Sequence, residues 1–287
     1  MSATRHCIYC RAELHGRQPR EHVVPKGLTA GFGGNNLAIG CVCHSCNRRF
    51  DRELDRVLVE QTFLGMLRYL DGVKADTRRA PMPARNRTRV SLKGQPLELS
   101  ASSDGVGYAC KMVPPVLPDL DPDNGKGVME LEVSELQDRT ARRCIAKIAF
   151  SYLAYVTSTK HRGHTDWLLS PEFDTTRRFL MCPDATAEPQ CLLAHARLSQ
   201  IKGGMVSRTA SRGHFAALQS NAGKNDIVGH VMLFSWWYWR VTLAENCPGP
   251  SRDLHAAHFW DLSTKTVKIL RTTNTVFREW STRFPST

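Results

Sequence analysis

Apolar residues return at helical spacing in two long stretches of the chain. Leu54, Val57, Leu58, Leu64 and Leu67 mark one face of a helix predicted over residues 52–70, with Arg52, Arg56 and Arg68 beside the stripe and Asp51 as its N-cap. Ile145, Ile148, Ala149, Tyr152 and Leu153 do the same for a helix over 134–156, which Ser134 can cap. A shorter helix is expected from about Pro171 and includes Phe173, Arg177 and Leu180. Elsewhere the alternation has period two. Segments 89–93, 97–100 and 106–113 read as strands joined by turns, and the Pro-rich stretch 113–127 reads as a loop. Residues 230–243 (HVMLFSWWYWRVTL) are apolar on both alternating faces, which predicts one central strand covered on both sides. Burial accounts for Trp236, Trp237, Tyr238 and Trp239 in it better than a platform for stacking bases does. Segments 258–262 and 266–270 flank Ser263-Thr264-Lys265 as a hairpin. The pattern predicts an α+β protein without internal repeats.

The first fifty residues follow neither period. They are dense in Gly, Cys, Asn, His and Arg and poor in apolar runs, which suits a small unit held by metal more than by a core. Five of the ten cysteines (Cys7, Cys10, Cys41, Cys43 and Cys46) fall here; Cys110, Cys144, Cys182, Cys191 and Cys247 are scattered, as small buried side chains are. The N-terminus lacks the apolar stretch of an export signal, so the chain is expected in the cytoplasm, where such cysteines point to metal and not to disulfides. No apolar run is long enough to span a bilayer, and no membrane partner is expected. The formal charge of +12 on 287 residues favours a polyanion, nucleic acid first, through release of condensed counterions. Between 74 and 93, Lys74, Arg78, Arg79, Arg85, Arg87, Arg89 and Lys93 stand against one acid, Asp76, around Pro81 and Pro83. That segment reads as a linker or as a basic arm on phosphates.

Cys7-Ile8-Tyr9-Cys10 and Cys43-His44-Ser45-Cys46 are C-x-x-C knuckles, each able to turn two sulfurs towards one tetrahedral ion, and together they make a closed four-cysteine zinc site. Cys41 is an alternative to Cys43, at a less usual spacing. Between the knuckles stand Glu21-His22-Val23-Val24-Pro25 and Gly33-Gly34-Asn35-Asn36-Leu37; Asn47-Arg48-Arg49 follows the second directly. Hydrolysing a phosphodiester requires a base for the attacking water, a Lewis acid on the phosphate, and groups that hold the phosphate still. His22 is the natural base, since neutral imidazole accepts a proton near pH 7. Arg20, Arg48 and Arg49 are placed to contact phosphates of a nucleic acid.

These residues, in this order, resemble the HNH endonuclease superfamily in its four-cysteine zinc form. They have an acid-His-Val-Val-Pro strand, an Asn-Leu step about fourteen residues later, and a C-x-x-C-N entering a helix, within residues 5 to about 70. The resemblance implies a ββα-metal unit: two strands with a long loop between them and a helix packed across. It implies that Glu21, directly or through water, and Asn47 give oxygen ligands to one hard ion, Mg²⁺ or Mn²⁺. By the same resemblance Asn36, at the Asn-Leu step, pins the loop and positions the base. Asn47 stands where the name-giving pattern ends in His, which favours hard ions over a catalytic transition metal. The implied activity is metal-dependent cleavage of DNA to 5′-phosphate and 3′-hydroxyl ends; one site nicks one strand, and cutting both takes a homodimer or two encounters. The expected organisation is a nuclease domain with structural zinc over 1–72, a basic linker over 73–93 and a mixed α+β accessory domain over 94–287. His161, His164, His255 and His258 have no Cys or acidic partners at ligand spacing and read as ordinary histidines. A non-catalytic, zinc-dependent nucleic-acid-binding regulator and an RNA-directed nuclease are the alternatives.

Overall fold

The computed structural model describes residues 6–32, 36–60, 62, 64, 65, 68, 73, 89–92, 95–101, 108–112, 129–132, 139–160, 164–195, 213–221, 225–234, 237–247, 254 and 256–270. Asn35, Leu67, Ser134, His161, Trp236, His255, the basic residues 74–88 and the expected loop 113–127 lie outside them. The protein is a mixed α+β structure. Near its start, strands β1 (Glu21–His22) and β2 (Ala38–Ile39) pair antiparallel, Glu21 opposite Ile39 and His22 opposite Ala38.

The helix that follows starts earlier than the apolar periodicity predicts. Helix α1 (His44–Phe50) runs through a π-helical stretch, Asp51–Asp55, into α2 (Arg56–Glu60). Cys43 is its N-cap, the sulfur accepting from the Cys46 amide, so the second knuckle sets the start and Asp51 lies inside the helix.

A four-stranded antiparallel sheet follows, built from β3 (Arg89–Leu92), β4 (Gln95–Ala101), β5 (Tyr108–Met112) and β6 (Met129–Glu132) in the order β5-β4-β3-β6. Beyond it lie the long helix α3 (Arg139–Lys160) and, after two 3₁₀ turns, α4 (Asp174–Met181). The remaining strands are β7 (Cys191–His195), β8 (Gly213–Asn221), β9 (Asp226–Leu233), β10 (Trp237–Ala244), β11 (Ala256–Asp261) and β12 (Thr266–Ile269). They form a six-stranded antiparallel sheet, ordered β12-β11-β8-β9-β10-β7.

The single strand expected over 230–243 is two strands of a hairpin. Phe234, at φ 54°, carries the chain between them, and its amide donates to His214 Nδ1 at 3.2 Å. A left-handed Phe is strained; its burial and this hydrogen bond hold it in place. Both strands are buried along nearly their whole length, and the single Ser235 beside Phe234 is too weak a turn signal to mark the reversal. Trp237, Tyr238 and Trp239 are at most 5% exposed, which leaves no open stacking face there.

Helix α3 is buried on every side from Arg143 to Ala154, and its side chains there sort by direction. Ala149 abuts Gly229 of β9, and Tyr152 shares a hydrogen bond of 2.6 Å with His258 Nδ1 of β11. Lys147 and Ser151 point instead at the first sixty residues, Ser151 meeting the Tyr9 hydroxyl at 2.7 Å. Arg143 donates to the Phe179 and Leu180 carbonyls of α4. One apolar cluster accordingly runs from Cys7, Val23 and Phe50 through Ile145 and Phe150 to Trp239 and Trp260. Among the described residues no helix is long and apolar enough to cross a membrane.

Candidate functional site

Four sulfurs, of Cys7, Cys10, Cys43 and Cys46, lie within 4.8 Å of one another. In the first knuckle the Cys7 amide donates to Ala12 O and the Arg11 amide to Cys7 O, with Arg11 at φ 60° closing the turn. The second knuckle opens α1, and the Cys43 amide donates to Cys7 Sγ at 3.4 Å. Cys43, not Cys41, belongs to the group. A tetrahedral ion with bonds of about 2.3 Å needs sulfurs about 3.8 Å apart, and Cys10 and Cys43 are 3.6 Å apart. The donor set and its spacing fit zinc. The hydrogen bond with Cys46 holds Cys7 down to about 5, burial pushes Cys10 up to about 11, and Cys46 is driven far up by its bond to Cys7. Removing all the protons requires a cation among them.

Beside this cluster lies a cleft of about 620 Å³ whose lining includes Glu21, His22, Asn47, Arg20 and Arg48. Strand β1 brings Glu21 and His22 there, held by the β2 pairing and by the Val23 amide on Leu37 O at 2.9 Å. Helix α1 brings Asn47 one residue past the knuckle. Asn47 Nδ2 donates to Glu21 Oε2 at 2.5 Å, which leaves Oδ1 as the amide's ligand atom. Glu21 Oε1 accepts from Lys147 Nζ, and Lys147 also donates to both Asp55 oxygens, at 2.8 and 3.0 Å. Among the described residues, no group of three or more His, Cys, Asp or Glu other than the cysteine cluster converges as a metal site.

The charges in the cleft have identifiable causes. Burial lowers the His22 pKa below its ordinary value, Glu21 opposes this, and Lys147, Arg20 and Lys26 add to it, which favours the neutral imidazole near pH 7. Burial pushes Asp55 up to about 6 against the pull of Lys147. Burial works against the Lys147 ammonium, but Asp55 and Glu21 outweigh it and hold the group charged.

Asn36 is buried away from the cleft lining, 5% exposed, and ties the loop to distant parts of the chain. It donates to Thr29 Oγ1 at 2.7 Å and accepts from Trp260 Nε1 at 3.0 Å. Nearby, His214 Nε2 donates to Leu28 O at 3.0 Å. Of the three arginines expected at phosphates, Arg20 and Arg48 line the cleft, whereas Arg49 pairs with Glu53 at 3.0 Å along the helix. Sequence reasoning passed over Asp55 and Lys147. The available signal for Lys147 was a lone charge on the apolar side of a predicted helix (CIAKIAF), which calls for a buried partner.

The chain matches no protein-family model, no curated protein and no solved structure.

Proposed function

We propose that this protein is an HNH-type endonuclease that hydrolyses DNA with one Mg²⁺ or Mn²⁺ ion on a zinc-stapled ββα scaffold. One observation carries the reading: an acid, a histidine and an asparagine, Glu21, His22 and Asn47, share a cleft formed by a short antiparallel strand pair and a helix that starts at a cysteine knuckle. A hard divalent ion on Glu21 and Asn47 would supply Lewis-acid stabilisation to the scissile phosphate. His22, kept neutral by burial, takes the proton of the attacking water. Arg20 and Arg48 hold the neighbouring phosphates as charge-assisted donors. Asn36 acts at a distance, keeping the loop between the strands in one place through Thr29 and Trp260. The four cysteines hold strand and helix together through zinc.

The test is conversion of supercoiled plasmid in Mg²⁺ or Mn²⁺ by the full chain and by His22→Ala, with matched RNA in parallel. Wild type should cut DNA, and the variant should lose cleavage by at least about a hundredfold while keeping its zinc and its DNA binding. Equal cutting by both proteins, or cutting by neither, overturns the reading, and cutting confined to RNA replaces the substrate. One observation favours a second reading, a non-catalytic nucleic-acid-binding protein: both oxygens of Glu21 already accept hydrogen bonds from protein donors. Tight DNA binding without cleavage in any divalent ion would establish it.

A further inference from the structure

Lys147 sits in the middle of α3 between Ala146 and Ile148, both wholly buried, and its own side chain has no exposure. An ammonium in such surroundings needs partners for each of its three N–H groups. It has them: one on Glu21 Oε1 and two on the Asp55 oxygens. Exposure then rises outwards, from none at Lys147 to 4% at Glu21 and 16% at Asp55, so the carboxylates stand between the ammonium and the cleft. Lys147 therefore has no route to a phosphate or to solvent, and whatever it does at the site it does through these two side chains.

We propose that Lys147 is the built-in counter-ion of the candidate ion site, a positioning residue whose ammonium fills the place between Glu21 and Asp55 that a second divalent ion would take. The inference rests on the reading of Glu21 as an ion ligand. Two carboxylates facing one point make a ligand pair for a divalent ion, and in a two-metal phosphodiesterase site a second ion stands about 3.5–4 Å from the first. Here a fixed monovalent cation from a distant helix holds that point. It neutralises one carboxylate, leaves the pair with one net negative charge, and aims Glu21 by one oxygen while Asn47 aims it by the other. The site is complete only when α3 is docked against the first sixty residues.

The test counts ions. The zinc-loaded full chain at pH 8 is titrated with Mn²⁺, and the free hexaaqua ion is followed by electron paramagnetic resonance. Wild type and Lys147→Arg should bind the same number of Mn²⁺ ions, while Lys147→Ala and Lys147→Gln should each bind one more. Adding Asp55→Asn to Lys147→Ala should remove the extra ion. Unchanged stoichiometry in both neutral variants, with zinc content and helicity intact, overturns the proposal. A neutral variant that folds only when Mn²⁺ is supplied supports it, because the ion then replaces the ammonium; one that stays unfolded in Mn²⁺ counts against it. The readout is a difference between variant and wild type, so it is separate from cleavage: an extra ion in the variants of a protein that never cuts DNA sinks the nuclease reading and keeps this one.

Discussion

Removing the Trp260 N–H tests how firmly the late sheet holds the early loop. Trp260→Phe deletes the donor that meets Asn36 Oδ1 at 3.0 Å, across 224 residues of chain, with both side chains buried. The smaller ring costs about 1–2 kcal/mol of packing at a fully buried site, and the orphaned amide oxygen about 1–3 kcal/mol more. Asn36→Ala orphans the indole N–H at a similar cost, while the Thr29 hydroxyl keeps Pro25 O as its acceptor. The double variant leaves neither group unpaired. It should therefore be more stable than the sum of the single losses by about 2 kcal/mol or more, since both orphan costs vanish. Urea denaturation of the four proteins at one pH measures this coupling, and thermal midpoints should follow at about 2 °C or more per kcal/mol. Additivity to within about 0.5 kcal/mol would refute the claim that the sheet positions the loop.

Three further outcomes are expected. Cys10→Ser should lose the zinc and, because structural zinc contributes on the order of 10 kcal/mol, unfold the early segment, whereas Cys41→Ser should keep the metal; full zinc content in Cys10→Ser would refute the four-sulfur set. Gly229→Ala drives a Cβ to 2.7 Å from Ala149 Cβ and should destabilise by about 1–3 kcal/mol in urea, while Gly40→Ala, whose added Cβ meets nothing within 4 Å, should stay within about 0.5 kcal/mol. Burial holds His214 down to about 4 and His230 to about 3, so below the unfolded value of about 6.5 the unfolded chain takes up protons that these histidines refuse. Stability should fall as pH drops from 6.5 towards 4, by about 1.4 kcal/mol per unit for each, with Asp55, raised to about 6, offsetting one of them below that pH. A urea midpoint that is flat from pH 7 to 5 would contradict this.

What the sequence by itself determined is whatever depends on near neighbours. Each C-x-x-C spacing brings two sulfurs together because each knuckle is a single tight turn, while the meeting of the two knuckles spans 33 residues. Glu21 and His22 sit together because they are adjacent, and Asn47 lies in α1 because it follows the knuckle that starts the helix, though its meeting with Glu21 is made across 26 residues. The stripe Ile145, Ile148, Ala149, Tyr152 and Leu153 is buried in a helix, and the 258–270 hairpin forms, because helical and alternating periods are local. Only the tertiary structure decided the rest. Phe234 reverses a run that reads as a single strand, and its stabilising hydrogen bond comes from His214, twenty residues away. Lys147 reaches Asp55 across 92 residues, and Trp260 reaches Asn36 across 224. A periodic pattern shows that a face is buried but not against what, and a buried charge or amide takes its meaning from the partner that packing puts beside it.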